Sequence, residues 1–196
     1  MKNYEIKLPK GYHPVYQIDA EDKKTIWIFN IVNLLLFFAL AIPLFAWLKA
    51  STGKSLYELF NLGIFHYLIL VVICIMYIFA HELTHGAAYY ALTRRKLTFG
   101  ISLFVAYCGV PDIYVYRKPA LIATLAPFVT YSILFSLGIV LSSSSVWQVI
   151  WIMLLALHVG GCVGDLWVAL IMIFRFNGQS GLLTRDTGPK QTFYNK

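Results

Sequence analysis

The chain has 196 residues, 59% of them apolar and only 13% charged. A soluble surface of this size normally carries about twice that charged fraction, so the composition argues against a soluble globule and makes lipid the expected solvent. The net charge of +7 would suit a nucleic-acid binder, yet the sixteen Lys and Arg residues sit between apolar runs and at the chain ends. That placement argues against nucleic acid and for membrane topology.

The first 24 residues are polar and end in Lys23-Lys24, so no cleavable signal peptide is expected ahead of the first apolar run. Four runs then reach the length of about 20 residues that a helix needs to cross a bilayer. The first is 25–48, with Pro43 as a kink near its far end, and the second is 62–92. The stretch 97–116 is too short and too broken by Gly100, Gly109 and Pro111 to be a span. Its β-branched and aromatic residues around Cys108-Gly109-Val110-Pro111 predict a β-hairpin, with strands Leu97–Tyr107 and Asp112–Tyr116. The third span is 119–141, opened by Pro119 and bent by Pro127; Ser142–Ser145 connect it to the fourth, 146–174. In the polar tails, Asn3–Leu8 and Gln191–Tyr194 are expected to add short strands to the hairpin. The expected fold class is mainly α: a polytopic membrane protein, read as a single membrane-embedded domain over 1–196, with four transmembrane helices and a small cytoplasmic-side β-hairpin.

Orientation follows from counting positive charge. Segments 1–24, 93–118 and 175–196 carry five, five and four Lys or Arg; the other two connections carry two (Lys49 and Lys54) and none. Positive charge marks the cytoplasmic side. Both termini are therefore expected in the cytoplasm of a multi-pass cell-membrane protein.

Ionisable groups inside spans are costly and usually functional. This chain has His66, His81, Glu82, His85, His158 and Asp165 there. His81 and His85 are four apart, so a helix stacks them on one face, where two imidazoles can share one tetrahedral zinc. Glu82 lies close enough to act on a water held by that metal. The bland alternative is a polar cluster that glues helices together.

A third ligand is selected by depth. His85 precedes Arg94 by nine residues and Asp165 precedes Arg175 by ten, which puts both about 14–15 Å above the cytoplasmic charges. Asp165 is thus the expected third ligand. Gly160 and Gly164, with Gly86 from the other side, are read as small residues that let its helix approach the metal helix. His158 lies two turns further out on the same face; it either faces the substrate channel or hydrogen-bonds a neighbouring helix. His66, near the outer surface, is given no role. Cys74, Cys108 and Cys162 are odd in number and lack a CxxC pair, so neither a disulfide framework nor a cysteine metal site is expected.

The run His81-Glu82-Leu83-Thr84-His85-Gly86, with Gly164-Asp165-Leu166 and the tail Arg185-Asp186-Thr187-Gly188-Pro189, resembles the small bacterial membrane proteins described as putative zincin peptidases. That group is distantly similar to the site-2 protease family of intramembrane metalloproteases. The resemblance implies zinc at His81, His85 and Asp165, with Glu82 as catalytic base, in a bacterial plasma membrane. The chain departs from the site-2 protease pattern, in which an Asn and a Pro precede the ligand Asp. His158 stands near the Asn position, the Pro is missing, and Gly164-Asp165-Leu166 replaces Leu-Asp-Gly.

The expected activity is zinc-dependent hydrolysis of a peptide bond within or next to the membrane, on a membrane-protein or peptide substrate. Glu82 would serve as general base and His158 would stabilise the oxyanion. Two alternatives stay open: a non-catalytic, chaperone-like membrane binder that retains the pocket, and a metal transporter. Glu82 separates them, since only catalysis needs a base at that position.

Overall fold

The computed structural model describes residues 2–101, 106–179 and 181–196. In chain order the elements are β1 (Tyr4–Glu5), β2 (His13–Asp19), α1 (Lys23–Thr52), α2 (Leu56–Phe60), α3 (Ile64–Thr93), β3 (Thr98–Ile101), β4 (Ala106–Gly109) and β5 (Tyr114–Tyr116). They continue with α4 (Arg117–Leu141), α5 (Ser145–Gly161), α6 (Val163–Leu170), a π-helical turn (Ile171–Arg175), β6 (Leu183–Asp186) and β7 (Lys190–Asn195). Among the described residues α1, α3 and α4 are long and apolar enough to cross a membrane, and α5 with α6 makes a fourth such unit if the interrupted pair is one span. The protein is thus mainly helical, with small antiparallel sheets.

The fourth helical run is not continuous as expected. It breaks at Cys162, whose N–H turns back to the carbonyls of His158 and Gly160. The local cause is Gly160-Gly161, because glycine is the poorest non-proline helix former and gives the chain freedom to leave the helix.

The hairpin also differs from its expected form. Its strands are β3 and β4, paired from Thr98 with Gly109 to Ile101 with Ala106; residues 102–105 lie outside the described residues. Cys108–Pro111 is not the hairpin turn but the exit from β4. Pro111 cannot donate to a ladder, and Val110 donates instead to the Asp186 carbonyl at 3.0 Å. The chain then enters β5, which belongs to a five-stranded antiparallel sheet of order β1-β5-β6-β7-β2. Both tails do supply strands, β1 and β7, but they join β5 and β6 rather than β3 and β4. β2 and β6 have no counterpart in the sequence reading. β2 lies at the sheet edge, where Pro14 and the register shift after it are tolerated.

The chain forms two compact units: Met1–Ile28, Phe79–Pro127 and Gly164–Lys196 make one, and Phe29–Ile78 with Phe128–Val163 make the other. The second is all helical. Its core packs Phe45, Leu48, Leu59, Phe135, Ile152 and Leu154. The short α2 is closed by a capping box, in which Ser55 and Glu58 bond each other's backbone N–H. Gly160 sits against Asn33 of α1, with no room for a Cβ.

The first unit holds both sheets. Val115, Leu183 and Phe193 are fully buried in the larger one, and Phe193 stacks on Phe176 with ring centroids 5.6 Å apart. The sheet is stitched to helix ends that would otherwise carry unpaired carbonyls. Asn3 donates to the Leu92 carbonyl at 2.7 Å, and Arg117 donates to the Phe176 carbonyl at 2.7 Å. Arg95 donates to the Tyr4 hydroxyl at 3.0 Å while lying over that ring, and Arg175 lies 4.4 Å over Tyr16. α3 itself stops at Arg94, which takes a left-handed φ of 54° and returns its N–H to the Tyr90 carbonyl.

Candidate metal centre

His81, Glu82 and His85 lie on α3, inside the sheet-bearing unit. One helical turn separates the two imidazoles, and their ring centroids are 5.0 Å apart. Asp165, in the first turn of α6, faces both: its Oδ2 lies 3.2 Å from Nε2 of His81, and its Oδ1 lies 3.3 Å from Nε2 of His85. The ligating atoms of all three residues fall within 4.8 Å of one another.

This spacing suits a metal. A tetrahedral zinc with ligands at about 2.0–2.1 Å holds its donor atoms about 3.3–3.4 Å apart, and two imidazoles plus one carboxylate leave a fourth position open. The structure brings together the three residues that the sequence reading paired by depth.

His85 is the most enclosed of the three, 7% exposed. Its Nδ1 lies 2.9 Å from the Ala123 carbonyl of α4. A carbonyl can only accept, so Nδ1 carries the proton and Nε2 is left to face Asp165. Holding a ligand imidazole by its far nitrogen in this way is the usual support in zinc sites.

Glu82 accepts a hydrogen bond from the backbone N–H of Cys108 in β4. One turn further along the same face of α3, Gly86 packs against Phe99 and Leu97; a Cβ there would come within 2.7 Å of the Phe99 ring. The sequence reading gave Gly86 to the approach of the Asp165 helix. It serves instead to seat β3 beside the metal-ligand candidates. Gly160, expected to serve that same approach, meets Asn33, and Gly161 has nothing within 4 Å of its missing side chain.

A further acid, given no role by sequence reasoning, lies within electrostatic reach of Glu82 and Asp165. Asp186, at the end of β6, accepts from the Tyr89 hydroxyl at 2.9 Å and from the Gly188 N–H at 2.9 Å. Burial pushes its carboxyl up to about 6, against the pull of those two hydrogen bonds. Tyr89 is one turn beyond His85 and almost completely buried. The chain Tyr89–Asp186–Gly188 therefore ties α3 to the end of β6 next to His85. The available sequence signal was the i, i+4, i+8 alignment of His81, His85 and Tyr89 on one helix face. The Cys108 thiol is pushed up to about 12, first by burial and then by the neighbouring Asp186 and Glu82 charges, and stays protonated at neutral pH.

His158 belongs to the helical unit and is fully buried there. Its Nε2 lies 3.1 Å from the Phe128 carbonyl and 3.2 Å from Ser132 Oγ; its Nδ1 lies 2.6 Å from the Tyr77 hydroxyl and 3.4 Å from Cys162 Sγ. Since the carbonyl must accept, Nε2 carries the proton and Tyr77 donates to Nδ1. Rings of Tyr77, Phe128, Tyr131 and Phe135 enclose it. The helix-bonding role that the sequence reading left open for His158 describes these contacts.

Comparison with known proteins adds one finding. Residues 73–179 match the family described as putative zincin peptidase, a stretch that holds His81, Glu82, His85, His158 and Asp165. The chain has no significant match among curated proteins or solved structures. The matched stretch covers more than half of the 196 residues, and the chain belongs to this zincin peptidase family.

Proposed function

We propose that the protein is a zinc-dependent intramembrane peptidase that hydrolyses a peptide bond within or next to the membrane, with a membrane-protein or peptide substrate. The observation that carries this reading is the arrangement of Asp165, whose two oxygens each face the Nε2 of one imidazole of the His81–His85 pair. His81, His85 and Asp165 would hold the metal. When bound, zinc supplies polarisation of the scissile carbonyl and acidification of a water.

The remaining chemistry is the work of the chain. Glu82 accepts a proton from the attacking water and returns it to the departing amine. The N–H of Cys108 holds the Glu82 carboxylate in place from β4, so the base is positioned by the sheet and not only by its own helix. No step is assigned to His158, whose two ring nitrogens are engaged within the helical unit.

Membrane insertion is part of the same reading. Many large apolar side chains on α1 and α3 are more than half exposed, Leu35 at 64% and Met76 at 64% among them, and water is a poor solvent for such faces. The three segments richest in Lys and Arg also contribute strands or helix ends to one sheet-bearing unit. This supports placing both termini and the 93–118 connection on the cytoplasmic side.

The test is cleavage of a single-span peptide by the purified protein in lipid vesicles. Activity should vanish on chelation and return with zinc. Glu82→Gln should lower turnover by roughly 10²–10⁴-fold, the usual worth of a general base, while retaining metal. A Glu82→Gln protein that cleaves at the wild-type rate contradicts Glu82 as the base, and a metal-loaded wild type that cleaves nothing contradicts the peptidase reading and favours transport or binding.

A further inference from the structure

α4 carries Pro127 in its interior. Proline has no N–H, so the helical hydrogen bond from residue 127 back to the carbonyl of Ala123 cannot form. Ala123 is completely buried, so water cannot take the place of the missing donor. The vacated carbonyl is the one that receives Nδ1–H of His85, at 2.9 Å.

We infer that Pro127 is a positioning residue for the metal centre: by withholding its N–H it leaves the Ala123 carbonyl open to His85, which fixes the tautomer and the aim of that ligand. The inference rests on the proposed metal site at His81, His85 and Asp165. With the proton held on Nδ1, the lone pair of Nε2 points toward Asp165 and the ring cannot turn over without leaving a buried carbonyl unpaired.

An alanine at 127 brings back an N–H that competes for the Ala123 carbonyl in the helical direction. Loss of outer support for a metal ligand typically costs about 10–100-fold in metal affinity. The full-length protein in detergent micelles is titrated with Zn²⁺ against a chromophoric chelator, as wild type, Pro127→Ala and Pro43→Ala. Pro43 is also an interior helix proline, in α1, and controls for any general consequence of losing one.

The expected result is roughly tenfold or greater weakening for Pro127→Ala and wild-type affinity for Pro43→Ala. Equal affinity in all three, or equal loss in both variants, overturns the role of Pro127. Absence of Zn²⁺ binding by wild type overturns the metal site itself, and the inference with it.

A second measurement does not depend on the variant folding. In wild-type protein loaded with ¹¹³Cd²⁺ and labelled with ¹⁵N-histidine, His85 should couple to cadmium through Nε2 and keep a slowly exchanging proton on Nδ1. Coupling through Nδ1, or an Nδ1 without its proton, overturns the inference while leaving metal binding established.

Discussion

Glu82 and Asp186 show how one electrostatic neighbourhood gives two carboxylates different parts. Glu82 meets a backbone donor from Cys108 and keeps acceptor capacity for the water proton that the proposed mechanism assigns to it; Asp186 is tied by a hydroxyl and a backbone N–H and has a structural part. The Asp186 carboxyl is raised from 3.8 to about 6, so the folded chain binds this proton more tightly than the unfolded chain does. Stability from this group is therefore highest below pH 4, falls as pH rises toward 6, and is flat above. Asp186→Asn should remove that slope. Wild type should lose on the order of 2 kcal/mol between about pH 4 and pH 7 relative to the variant, read from thermal unfolding in one detergent at both pH values. Parallel profiles in the two proteins would contradict a buried, raised Asp186. The grouping of His81, His85 and Asp165 was legible because HExxH spacing and position along an apolar run are one-dimensional quantities. Ala123, Cys108 and Asp186 were not, since two of them act through backbone groups and the third reaches the site by strand pairing.

At the scale of elements, the long apolar helices follow directly from hydropathy and lie within a few residues of their expected bounds. The interruption at Cys162 and the regrouped strands did not follow. The reason is that a two-residue strand such as β1 is defined by its partner β5, far away in sequence, and carries little local signal. The glycines of the fourth helical run show a similar limit: their spacing announced close packing but not the partner. Gly160 meets the backbone oxygen of Asn33 at 2.9 Å from where a Cβ would be, whereas Gly161 meets nothing within 4 Å. Adjacent alanine substitutions should thus have opposite signs. Gly160→Ala should destabilise by about 1–3 kcal/mol through overpacking, and Gly161→Ala should be neutral or stabilise by up to about 1 kcal/mol through helix propensity. Thermal unfolding of the two variants in micelles checks this; equal and small shifts in both would contradict the α1 contact at Gly160.

For the whole molecule, the distribution of charge and the topology of the sheet bear on the same question. The N-terminal tail, the connection after α3 and the C-terminal tail all contribute strands to the β1-β5-β6-β7-β2 sheet, and these segments hold fourteen of the sixteen Lys and Arg residues. A chain whose strands pair across three segments cannot have those segments on opposite sides of a bilayer. A cysteine placed at Lys10 in intact cells should accordingly react with a membrane-impermeant maleimide only after permeabilisation, and one placed at Lys54 should react from outside. The reverse pattern would contradict the orientation.

The proposed activity depends on three side chains from α3 and α6 holding one metal ion. Metal content of the purified protein, measured by elemental analysis after dialysis, tests this most directly. Wild type and Glu82→Gln should each retain one zinc per chain, and Asp165→Ala should retain far less. An Asp165→Ala protein with the same zinc content as wild type would contradict the claim.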